Sequence, residues 1–79
     1  MIQVGCSKIK LVQAKIDNQT IDGVTFTPVK KEGLTVKYNH DAASDAEAKA
    51  IVKKVCKEIP ELKNAYLNVQ MIDAQGRIL

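Results

Sequence analysis

Seventy-nine residues, 46% hydrophobic and 27% charged with a formal net charge of +3, describe one domain with a thin core, since a chain this short buries only about 60–65% of its extended surface. That balance excludes a disordered chain and a polybasic, histone-like protein, and it leaves contact with nucleic acid or an acidic protein open. Trp is absent, and Phe26, Tyr38 and Tyr66 are the only aromatics, so the core has to be mostly aliphatic.

Residues 1–6 alternate, with Ile2, Val4 and Cys6 on one face of a strand. The phase then shifts. A bulge or turn near 5–8 reconciles it with continued strand through 16, which is the expectation. A short helix through Ile9, Val12 and Ile16 is the rival. Asp17-Asn18-Gln19-Thr20 and Asp22-Gly23 are turn signals, one of which joins strands. The β-branched run 24–29 is expected as a strand at a sheet edge, because Pro28 has no N–H to give a ladder. Residues 30–33 are expected to turn the chain, with Lys-Glu-Gly suited to a tight connection. Leu34, Val36 and Tyr38 then alternate with Thr35, Lys37 and Asn39, the pattern of an antiparallel strand with one solvated face.

The segment 44–59, SDAEAKAIVKKVCKEI, is an amphipathic helix. At about 100° per residue, Ala48, Ile51, Val52, Val55 and Ile59 fall in one uncharged stripe. Ser44 with Glu47 forms a capping box. Asp45 and Glu47 place negative charge at the positive end of the dipole, and Pro60 stops the helix. Residues 65–72 alternate as a further strand, with Ala65, Leu67, Val69 and Met71 on its apolar side. A turn at 74–76 allows 77–79 to pair back on it.

The expected fold is therefore α+β. A twisted antiparallel sheet of three to five strands carries one helix across one face, in the order β-β-β-α-β. The helix stripe is expected to cover Leu34, Val36, Tyr38, Leu67, Val69 and Met71.

Little in this chain points to catalysis. Cys6 and Cys56 with a single histidine, His40, are too few for a zinc site, and no CxxC pair occurs. A thiol with His40, oriented by the adjacent Asp41, is the best nucleophile–base set on offer, but a cysteine beside an apolar stripe is a poor nucleophile. The four glycines are scattered and build no phosphate loop. Asp17 and Asp22 fit turns without a metal. No cofactor or metal is expected. The N-terminus shows no signal-peptide pattern and no stretch is long enough to span a membrane. Two reduced, buried thiols in a cytoplasmic protein are the expectation.

What remains is surface. Lys49, Lys53 and Lys57 repeat at i, i+4, i+8 with Lys54 beside them. The expected function is that of a small non-enzymatic binding protein, an inhibitor, adaptor or phage or mobile-element modulator, whose lysine ridge meets an acidic protein partner. The same residues also suit an ordinary solvated helix face. The alternative is non-specific nucleic-acid binding through Lys8, Lys10, Lys15, Lys30, Lys31 and Lys37. Against it stand a single Arg and the lack of aromatics interleaved with the lysines. A homo-oligomer formed through a sheet edge is a further expectation.

Overall fold

In the computed structural model, which describes residues 1–73 and 75–78, the chain opens with an interior strand of the sheet, β1 (Ile2–Cys6). It lies between β4 (Thr35–His40) and β5 (Leu67–Met71) and is antiparallel to both. β3 (Val24–Glu32) continues the sheet beyond β4, and the two-residue β2 (Thr20–Ile21) caps its outer edge, giving the order β2-β3-β4-β1-β5. Val4 stands opposite Val36 on one side and Val69 on the other. This register puts Ile2, Val4, Cys6, Val36, Tyr38 and Val69 on one buried face. Gln3, Thr35, Lys37, Asn68 and Gln70 lie on the opposite, solvated face.

Two helices cover the buried face, α1 (Ile9–Ile16) and α2 (Asp45–Lys57). α2 and the α+β class are as expected from the sequence. The Ser44 hydroxyl accepts the Glu47 N–H at 3.2 Å, and Ala48, Ile51, Val52 and Cys56 are buried along the stripe. The helix closes at Lys57. Ile59 turns to an extended conformation yet stays buried, and Pro60 opens a short 3-10 turn, Pro60–Leu62.

The strand expected through residue 16 is corrected. Those residues form α1, so the order is β-α-β-β-β-α-β. The physical reason is the core. Ile9, Val12 and Ile16 repeat at helical spacing and are all buried, whereas a strand over the same residues would turn some of them to water. Both turn signals are used. Asn18, at φ 58°, leads out of α1, and Asp22 and Gly23, at φ 51° and 80°, form the primed turn of the β2–β3 hairpin.

Two more expectations change. Leu34 is in phase with Val36 and Tyr38 but is 54% exposed, because it stands in the turn before β4, past the reach of the helix stripe. Ile72, read as part of the polar side of its strand, is buried. The strand ends at Met71, and Ile72 bridges back to Ile78 while its N–H donates to the Met1 carbonyl. Leu79, expected on the same returning segment, lies outside the described residues.

Candidate functional site

The lysine ridge of α2 is built as the sequence spacing requires. Lys53, Lys54 and Lys57 are exposed and Lys49 is half-buried. Lys54 and Lys57 sit in the last turn, where cations complement the helix dipole. Lys54 reaches Asp22 of the β2–β3 turn at 3.3 Å. Among the described residues it alone of the four has a carboxylate partner. Lys57 also borders an apolar groove of about 400 Å3, lined with it by Ile59, Pro60, Leu62, Leu67 and Lys63. The ridge thus runs into a hydrophobic depression with positive charge on its rim.

The six lysines of the nucleic-acid alternative do not form one patch. Lys30 and Lys37 lie opposite each other on the open face of the sheet. A shift of register between Pro28 and Lys30 brings them there. Glu32 stands with them, 3.4 Å from Lys30 and 3.8 Å from Lys37, so the pair does not act as a bare cationic site. Lys31 points to the other side and joins Lys8 and Lys10 around a second groove, beside Leu11 and Leu34. The Lys8 ammonium donates to the Glu61 carbonyl at 3.0 Å. Lys15, in the last turn of α1, lines neither hollow.

Tyr66 was missed as a surface group by the sequence reading. It is 62% exposed, and a Cβ on Gly5 would stand 3.8 Å from its ring. The signal was present: Tyr66 belongs to the polar parity of residues 65–72, the side that turns to solvent.

The Cys–His set is not assembled. Cys6 and Cys56 are both buried and not joined in a disulfide, and Cys6 Sγ accepts the Lys8 N–H at 3.4 Å. Burial, and then the neighbouring Cys6, push the Cys56 thiol up to about 11, the opposite of nucleophile activation. His40 is nearly buried and bonds elsewhere. Its Nε2 lies 2.6 Å from Asp45 Oδ1, and its Nδ1 accepts the Ala42 N–H at 3.2 Å. Asp41, expected to orient the ring, instead accepts the Thr25 N–H at 2.8 Å. The carboxylate that holds His40 is Asp45, from the first turn of α2. It also receives the Met1 ammonium at 2.6 Å, and that bond, followed by the one to His40, holds its carboxyl below the usual range. This cluster ties the start of β1, the end of β4 and the start of α2 together. Among the described residues no group of three His, Cys, Asp or Glu side chains is placed to hold a metal ion, and no helix is long and apolar enough to cross a membrane.

No family model, curated protein or solved structure matches the chain.

Proposed function

We propose that this chain is a small non-enzymatic binding protein, working as an inhibitor or adaptor in the cytoplasm, that recognises an acidic protein surface through α2. One observation carries the reading. The exposed lysines of α2 lead directly into an apolar depression, with Lys57 and Lys63 on its rim and Ile59, Leu62 and Leu67 in its floor. A ridge that ends in an apolar hollow offers an apolar contact flanked by charges that steer an acidic partner toward it.

The test is reversal of two ridge charges. Lys53→Glu/Lys57→Glu alters exposed positions and keeps the fold, as checked by circular dichroism. The partner is captured on wild-type protein from the source cell, identified and purified, and its affinity measured by titration. The variant is expected to lose that affinity, and unchanged binding removes the ridge from the interface.

A second reading, non-specific nucleic-acid binding, has one observation in its favour. Tyr66 offers an exposed ring on the open sheet face, the face that also carries Lys30 and Lys37. It predicts retardation of short single-stranded DNA or RNA that weakens steeply with salt and is lost in Tyr66→Ala. No retardation at low salt disposes of it.

A further inference from the structure

The second groove, between the start of α1 and the β3–β4 turn, holds what a peptide-docking site requires, and the ridge of α2 has no part in it. It encloses about 400 Å3, within the size range of built ligand sites. Its floor is Leu11 and Leu34, and Leu34 is one of the few large apolar side chains more than half exposed. The exposure has a structural cause. Leu34 points to the helix-bearing face, and its carbonyl accepts the Cys6 N–H at 3.0 Å, so its backbone is fixed while its side chain lies beyond what α1 and α2 cover.

The rim is one-signed. Lys10 comes from the first turn of α1 and Lys31 from β3, and among the described residues no carboxylate lines the groove. The one acid of the hairpin, Glu32, is on the open face with Lys30 and Lys37. Lys31 reaches the groove because of the irregularity after Pro28, which places it opposite Val36, on the buried-face side. Leu34 is exposed, and among the described residues neither Lys10 nor Lys31 is paired with a carboxylate. An occupant with the complementary pattern, an apolar side chain flanked by carboxylates, satisfies both.

We propose that this groove docks an acidic, leucine-type peptide segment of a partner protein, seated on Leu11 and Leu34 and flanked by Lys10 and Lys31. The proposal rests on reading the chain as a binding protein but not on the ridge of α2 being the surface used.

The probe is a fluorescein-labelled synthetic peptide of alternating glutamate and leucine, titrated with the full chain and followed by anisotropy and by amide shifts in 15N spectra. Saturable binding is expected, with shifts centred on residues 7–11 and 31–34. Affinity is expected to fall about tenfold or more in Lys10→Glu/Lys31→Glu and in Leu34→Ser. Both variants change exposed side chains, and their spectra report whether the fold is kept. Lys53→Glu/Lys57→Glu is expected to bind as wild type. If that variant weakens binding as much, the peptide sits on the ridge and the proposal is overturned. Absence of saturable binding, or wild-type affinity in the groove variants, overturns it as well. So does equal competition by short single-stranded DNA, which would make the groove a general polyanion site. Failure of the ridge as an interface leaves these titrations unaffected, so the two ideas fail separately.

Discussion

His40 and Asp45 are bonded across the end of the sheet, imidazole Nε2 to carboxylate Oδ1 at 2.6 Å, while His40 Nδ1 accepts the Ala42 N–H. A ring nitrogen that accepts an amide proton carries none of its own, so the proton of the neutral ring is on Nε2 and is donated to Asp45. Asp45 is thereby the point where the last residue of β4, the first turn of α2 and the Met1 ammonium meet.

The pH dependence follows from Asp45. Its carboxyl is held low chiefly by the bond from the Met1 ammonium, with burial opposing it and His40 adding to the lowering. A depressed carboxylate stabilises the fold above its unfolded value of about 4, and that contribution disappears as pH falls through the folded value. Asp45→Asn is therefore expected to lower the melting temperature at neutral pH. The gap to wild type should close in strong acid, where both side chains are uncharged. Thermal melts across that range check it, and a gap that stays constant with pH contradicts the assignment.

Tyr38 is the second tie between elements. Its hydroxyl donates to Asp17, the residue that closes α1, and burial followed by that bond pushes its ionisation far above the ordinary phenol value. Tyr38→Phe is expected to cost about 1.5 kcal/mol in urea unfolding, as for a hydrogen bond to a charged group. In native wild type, Tyr38 should remain unionised at about pH 10, where a free phenol is half ionised. Absorbance titration reads this directly.

The thiols should be silent in the folded protein. With Cys56 pushed up to about 11 and both side chains buried, alkylation of the native chain near pH 8 is expected to be about two orders of magnitude slower than in denaturant. Rapid native labelling of either cysteine would reopen a thiol-based role.

The packing and the backbone of α1 are tested by two substitutions. Ile16 is fully buried, and Ile16→Ala is expected to cost about 2–5 kcal/mol. Ala14 is exposed on the same helix, so Ala14→Gly loses no packing and should cost about 1 kcal/mol through helix propensity alone. Denaturant unfolding measures both. No effect at Ala14 would contradict the helix.

The α2 helix was legible from residues alone because each of its signals is local. The Ser44 cap, the stripe through Ala48, Ile51 and Val52, and the lysines opposite all follow from spacing within a few turns. The strand expected over 34–39, and found at Thr35–His40, was equally plain, since its alternation needs only its own backbone. Residues 9–16 were not, because Ile9, Leu11, Val12 and Ile16 satisfy fragments of both periods. The choice is made by what can be buried at once against Ile2, Val4 and Cys6. The candidate surfaces divide in the same way. Sequence placed Lys49, Lys53, Lys54 and Lys57 on one helix face. The tertiary structure ran that face into the hollow of Ile59, Leu62 and Leu67, separated Lys31 from Lys30 by a register shift, and left Leu34 uncovered beside Leu11. It also gave His40 to Asp45 rather than to the neighbouring Asp41. Periodicity fixes which way a side chain points relative to its own element; which other element arrives there depends on how strands and helices pack, and no local pattern encodes that.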